Sequence, residues 1–594
     1  MDILKYILKR LSFILSLVCA LVVISQAMNT DEYDRYLAGY KERAEFLSMA
    51  FDTSSNLTYY SVAAKYAGGT YIDEADSMLL ELLKDPRGDM FWMFPVIGAY
   101  LYGKEVMSPE VRDAVRNSWK TYAPYRGDTE NHWCMYYTSL YLAAEQWPDL
   151  PGQEWFNGKS SAENLQKARE YIIHWIEITT TIGQGEFDSP DYLPEYMIPM
   201  LLLADFAKDP AMRKRGKMMA DYLMADFAVE HLDGQYVGGF SRITEPGVYE
   251  PLRSNSSAYA YLYFGTGEPR ITQWILFPAL SRYRLPEIIY RIAVDRDEAY
   301  VHKERKRVRN VIRYGDEINP PVYKYTYMTG DYALGSLQGG ILQPIQQQTW
   351  NIRFTSGRPH TAVFGLHPYW SGYELAMFFP QRKKTLVADV VPSKQTYNQP
   401  DKWTGGSPYE RTFQHKNTLL VLYDIPEGTN SEHISGFFPK TLDEVIHGDS
   451  GWIMMRAGNT FIGWYPFREY DWIEEEINWR LHSPYRQNGY IVEVRSTDEY
   501  QSIADFVSAL QDAIPETNLQ QNEVEATYRN PEGDKLQFTF PDRRYLNNSP
   551  VHIEDYALFD GPYLQAEVGS QMLTIRYKDM VRVLDFNTLK ISEQ

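Results

Sequence analysis

Cysteine is nearly absent from these 594 residues: there are two, Cys19 and Cys134. Positive charge is scarce as well, with 59 Lys and Arg against 78 Asp and Glu, a formal net charge of −19. Apart from the first 25 residues, no stretch is long and apolar enough to span a bilayer. The excess of negative charge argues against a nucleic-acid partner, because counterion release from phosphates needs a basic surface. A protein of this size with so little cysteine must be held by its core, which excludes the small disulfide-stapled secreted modules.

The exceptional first segment has Lys5, Lys9 and Arg10 ahead of an apolar run from Leu11 to Ser25, then Ser25-Gln26-Ala27, a small-x-small pattern. It is expected to be a secretory signal peptide over residues 1–27. Leu17 and Val18 before Cys19 do not fit a lipoprotein signal. Cleavage after Ala27 leaves Cys134 as the single cysteine and a charge near −21, and suits a bacterial periplasmic or secreted enzyme, with no membrane contact once the signal is removed. Aromatic residues are plentiful, 15% with 47 Tyr and 14 Trp. They stack well on sugar rings, and they equally suit a large core.

The hydrophobic period changes along the chain, which predicts an α+β multidomain protein. From residue 30 to 297 apolar positions recur at three and four, as in Glu163 to Thr180 and Tyr196 to Ala207, with a further helix from Ala211 to Glu230. Short joins imply antiparallel hairpins, in series a bundle, a solenoid or an (α/α) toroid over 28–318. From Tyr323 the pattern is β-branched and aromatic with Gly, Pro, Asn and Asp between runs, as in Thr361 to Phe364, Lys384 to Val391, Thr418 to Tyr423, Gly451 to Met455 and Met572 to Tyr577. This predicts a large antiparallel β-sandwich over 319–594, interrupted by one helix from Ser496 to Ala513. The basic stretch His302 to Arg313 reads as a solvated linker or a last helix.

Three polar segments carry chemistry. In Arg126-Gly-Asp-Thr-Glu-Asn-His132, Asp128 or Thr129 can cap a helix running from Glu130 to Gln146, leaving Asn131 and His132 in its first turn. The helix dipole there favours neutral imidazole. Alternatively, Asn131 and His132 serve only the helix start. Gly183 to Tyr196 offers Glu186, Asp188, Tyr192 and Tyr196, and Gly234 to Arg242 offers Tyr236 and Arg242. These segments begin about fifty residues apart, one helical hairpin each, so they can open on one rim of a toroid. In the β half, His360 and His367 stand between expected strands. No Cys-rich or His-Glu-x-x-His pattern points to a metal, and no cofactor is expected.

Asn-His in the first turn of a helix, in Thr129-Glu-Asn-His-Trp133, together with a helical toroid followed by a β-sandwich, resembles the exported polysaccharide lyases of the heparinase and alginate-lyase type. Arg-Gly-Asp-Thr-Glu-Asn-His and Gly-Glu-Phe-Asp-Ser-Pro are similar to a bacterial branch that cuts rhamnose-glucuronate linkages in arabinogalactan and gum arabic. The resemblance implies β-elimination on an acidic oligo- or polysaccharide. It implies Asn131 and Arg242 as neutralisers of the uronate carboxylate, His132 or Tyr192 as base, and Tyr192, Tyr196 or Tyr236 as acid. Arg242 is expected to depress the Tyr192 pKa. Arg126, Glu130, Glu186, Asp188, Tyr196, His360 and His367 would bind substrate. Phe240 departs from the pattern, standing where a histidine would supply the base. The rivals are a glycoside hydrolase drawing a carboxyl pair from Asp128, Glu130, Glu186 and Asp188, and a non-catalytic glycan-binding protein.

Overall fold

A computed structural model describes residues 32–127, 129–308, 321–339, 346–369 and 402–594; the expected signal peptide, Asp128 and the run Lys384 to Val391 lie outside them. The described chain is mixed helix and antiparallel sheet, with helices before residue 295 and strands dominant after it. No helix among the described residues is long and apolar enough to cross a membrane.

The helices are α1 (32–52), α2 (Tyr59–Gly68), α3 (Ile72–Leu82), α4 (Met90–Gly103), α5 (Pro109–Thr121), α6 (Glu130–Gln146), α7 (Ser161–Ile182), α8 (Leu193–Phe206) and α9 (Pro210–Val229). Their starts follow local chemistry. The Thr129 hydroxyl caps α6, and Ser160 with Glu163 forms a reciprocal capping box on α7. Pro109 and Pro210 sit at the first positions of α5 and α9, where a missing N–H costs nothing. Packing alternates along the chain. Helix α4 packs on α2 and α6, α6 on α8, and the short helix Leu276–Leu280 touches both α8 and α2. Helix α3 packs beside α2, α7 beside α6 and α9 beside α8. The even-numbered helices are accordingly apolar on nearly every side; α8 buries twelve of its fourteen residues.

A two-residue hairpin, β1 (His231–Leu232) and β2 (Gln235–Tyr236), follows α9. The strands β3 (Tyr300–Arg307), β4 (Pro321–Met328), β5 (Tyr332–Gln338), β6 (Trp350–Phe354) and β7 (Ala362–Leu366) are consecutive antiparallel neighbours in a thirteen-stranded sheet. Strand β3 overturns the expectation of a solvated linker. His302, Glu304 and Lys306 alternate inward and are buried, because charged groups of the helical half meet them there. A six-stranded sheet faces the large one across a core of Leu334, Trp350, Ile352, Leu419, Val421 and Trp464. Its other face is covered by a five-stranded sheet and a helix confined to Ile503–Leu510. The helix expected from Ser496 is shorter because Gln487–Ser496 is the strand that zips the six-stranded sheet.

Candidate active site

The first turn of α6 and the segment 183–192 clasp each other through two buried carboxylates. Glu186 accepts the Asn131 backbone N–H at 2.9 Å, the Asn131 side-chain amide and the Tyr196 hydroxyl at 3.1 Å, all on Oε2. Its Oε1 accepts from the Arg242 guanidinium. In return Glu130 accepts the Glu186 N–H at 2.7 Å, the Trp175 indole at 2.9 Å and the Arg307 guanidinium. A carboxylate at a helix N-terminus gains from the dipole and from orphan N–H groups. Glycines make the approach possible. Gly183, at φ 97°, lies so close to β3 that a Cβ would stand 2.5 Å from the Arg305 carbonyl. Gly127, at φ 82°, leaves no room for a Cβ against the His132 ring.

Arg242 arrives from the segment after β2, which is sewn to 183–192 by Ser241 Oγ donating to the Phe187 carbonyl at 2.8 Å and by Ser189 Oγ donating to the Arg242 carbonyl. Its Nη2 donates to the Tyr192 hydroxyl oxygen at 2.9 Å and its Nε to Gln346 at 2.7 Å, with the guanidinium 4.7 Å over the Tyr192 ring. Four of the five residues expected to be catalytic thus stand around the start of α6: Asn131 and Arg242 meet at Glu186, joined by Tyr196, Tyr192 is bonded to Arg242, and His132 adjoins Asn131 in sequence. The His132 ring meets Phe91 edge-on at 5.4 Å, and Phe91 leads on to Trp274 at 6.2 Å, so partly exposed aromatic rings border this end of the helices.

The electrostatics differ from expectation in one respect. Burial raises the Tyr192 pKa above its ordinary value, and Arg242 opposes that shift without overcoming it. Burial also raises Glu130, against the pull of Arg307, and lifts Tyr196 well above the ordinary phenol range. Glu186 and Glu130 each accept three or more hydrogen bonds from the protein and so tie the first turn of α6 to the segment 183–192.

Other expected residues stand elsewhere. Tyr236 donates to Asp188 at 3.0 Å in a sealed charge network, where Lys324 lies 2.7 Å and Lys306 3.1 Å from Asp188. Asp226, Glu230 and Glu304 complete it. Asp188, Glu230 and Glu304 bring carboxylate oxygens within 4.8 Å of one another, a set that could hold a metal, but the Lys324 ammonium contacts all three. Arg126 stacks 3.7 Å over Trp133 and donates to Tyr137 at 3.2 Å. His367 is enclosed between Ser407 and the Ser431 carbonyl, each at 2.7 Å, and burial lowers its pKa to about 3, so it stays neutral inside the β core. The His360 carbonyl accepts from Thr441 and its ring lies 6.2 Å from Tyr249. Asp188, Tyr236 and His367 are interior because each has its partners within the fold.

Sequence reasoning passed over Glu195. It lies in the first turn of α8, three residues after Tyr192, and is 5% exposed. Its Oε2 is enclosed without a hydrogen bond, and among the described residues it forms no ion pair. Burial, then the neighbouring Glu186, raise its pKa well above the carboxylate range, and Arg242 offsets this only in part. An acid in the otherwise apolar run from Leu193 to Ala204 was the available signal. Asn131 Oδ1 is likewise buried without a hydrogen-bond partner among the described residues. Leaving such a group unsatisfied in the folded protein costs about 1–3 kcal/mol.

Compared with known protein families and with curated proteins, the chain matches none.

Proposed function

We propose that the protein is an exported polysaccharide lyase that cleaves a glycosidic bond at a uronic acid by β-elimination. The observation that carries this reading is the gathering of Asn131, Tyr196 and Arg242, from segments up to 111 residues apart, around the single carboxylate of Glu186, with Tyr192 held by Arg242. The contacts running α2, α4, α6, α8 and through Leu276–Leu280 back to α2 support an (α/α) toroid, and the facing sheets support a β-sandwich behind it.

β-Elimination needs a neutraliser, a base and an acid. Removal of the uronate C5 proton builds an enolate, and Asn131 and Arg242 supply hydrogen bonds that strengthen as that charge develops. His132 or Tyr192 takes the proton, and the pair of electrons left at C5 forms the C4–C5 double bond as the C4 oxygen departs. Arg242 on the Tyr192 oxygen would stabilise the phenolate form in that role. Phe91 and Trp274 offer faces for sugar stacking. An acidic oligo- or polysaccharide is the substrate class, with the rhamnose-glucuronate linkage of arabinogalactan side chains as the specific proposal.

A glycoside hydrolase is the second reading, since the raised pKa of Glu195 suits a general acid in hydrolysis as well as in elimination. Product chemistry separates the two. A panel of uronate-containing glycans is incubated with the protein while ultraviolet absorbance and reducing ends are followed. Absorbance from the conjugated double bond is expected, and Asn131→Ala and His132→Ala are each expected to abolish it while leaving the circular dichroism unchanged. Reducing ends without absorbance would identify hydrolysis, and binding without either product a glycan-binding protein.

A further inference from the structure

We propose that Glu195 is the proton donor to the departing glycosidic oxygen in this site. The inference rests on the reading that the site cleaves a bond to a uronic acid, and it assigns the one role for which several tyrosines compete.

Other donors at the site are committed. The Tyr196 hydroxyl donates to Glu186 at 3.1 Å, and Tyr236 donates to Asp188 at 3.0 Å inside the charge network, so either would have to break a buried bond to protonate a sugar oxygen. Tyr192 accepts from Arg242 at 2.9 Å, and a guanidinium on its oxygen suits the base, which must carry the phenolate form before it takes the C5 proton. Glu195 is of the opposite kind. It stands in the first turn of α8, three residues after the N-cap Tyr192, nine-tenths buried, with Oε2 enclosed and unbonded. The nearby cation, Arg242, is engaged by Glu186, Tyr192 and Gln346. As a carboxylate, Glu195 would add a third anion near Glu186 and Asp191, so the neutral acid is the favoured form.

The step balances. The base removes the C5 proton, the C5–H electrons form the C4–C5 double bond, the C4–O bond breaks, and its electrons take the proton of Glu195. The products are an unsaturated uronate and a sugar with a free anomeric hydroxyl, with Glu195 left as a carboxylate and the base protonated. Transfer between these two through solvent restores the enzyme.

The test uses leaving-group dependence. Full-length Glu195→Gln is compared with wild type on a uronate whose C4 oxygen carries a sugar, and on one whose C4 oxygen carries 4-nitrophenol, which departs as an anion without help. We expect kcat to fall at least about 100-fold with the sugar and less than about threefold with nitrophenol, and the alkaline limb of the wild-type pH profile to disappear. Infrared difference spectra supply a readout independent of turnover, since the protonated-carboxyl band of wild type at pH 7 should be missing in the variant. Equal losses on both substrates, an unchanged alkaline limb or absence of that band would overturn the assignment. Wild-type cleavage of the sugar substrate without ultraviolet absorbance, with the nitrophenyl ether left intact because it has no anomeric carbon to hydrolyse, would refute elimination; the donor role of Glu195 would then be judged by the loss in Glu195→Gln on the sugar substrate, the alkaline limb and the carboxyl band. No cleavage of either substrate by wild type would overturn both.

Discussion

Glu186→Gln separates organisation of the site from stability of the fold. The glutamine keeps the volume and one oxygen acceptor, so the Asn131 N–H retains a partner, while the charge that anchors Arg242 disappears. Removing one partner of a buried ion pair costs about 3–5 kcal/mol. The Arg242 side chain is 11% exposed and keeps Tyr192 and Gln346, which places this case near the lower bound, about 3 kcal/mol. With about 2.1 cal/mol/K of unfolding entropy per residue, 594 residues give roughly 1.2 kcal/mol/K, so the melting temperature falls only about 2–3 °C. Turnover is expected to fall about 100-fold or more, because Arg242, and Tyr192 with it, lose the reference that fixes their positions and a displacement near 1 Å suffices for that loss. Calorimetry and the absorbance assay on one preparation measure both quantities. Activity within threefold of wild type would refute the organising role of Glu186. A fall in melting temperature beyond about 10 °C would show that the variant is inactive because it is unfolded.

Lys324→Met removes the ammonium shared by Asp188, Glu230 and Glu304, and should cost about 3–5 kcal/mol at pH 8 in urea unfolding. The loss should be smaller at pH 5.5, where carboxyls left without the cation are protonated; equal losses at both pH values would count against the charge network. Glu410 predicts the pH course of stability. Burial raises it to about 8, so the folded chain holds a proton that the unfolded chain releases above its ordinary value near 4.3. Its contribution is full below about pH 4.3 and declines by at most about 1.4 kcal/mol per pH unit up to pH 8. Glu410→Gln should flatten that part of the stability profile, and a parallel profile in the variant would refute the assignment.

Local signals carried the helical half of the fold. The bounds of α6 were readable because Thr129 is a capping residue and the apolar period begins directly after it. The pairing of Asn131 with Glu186 and of Arg242 with Tyr192 was legible only as spacing, one hairpin apart, because contacts over 50 or more residues leave no periodic trace. Strand β3 defeated a hydropathy reading for a physical reason. His302, Glu304 and Lys306 alternate with period two, but the inward side is the charged one, and a charged inward face looks like solvated surface until its partners are known. Those partners, Asp188 and Asp226, come from the helical half, as Glu130 does for Arg307.

The same ion pairs explain why the site and the junction of the two halves cannot be separated. The segment 183–192 carries Glu186 and Asp188 side by side on its chain, one organising Asn131 and Arg242, the other gripped by Lys306 of β3 and Lys324 of β4. Glu130, which holds the Glu186 N–H, is itself held by Arg307 of β3. Glu130 and the segment that carries Glu186 are therefore each held by cations of the sheet. The helical segments could form without the strands, since their caps and apolar faces are local, but the geometry around Glu186 requires Lys306, Arg307 and Lys324 in place.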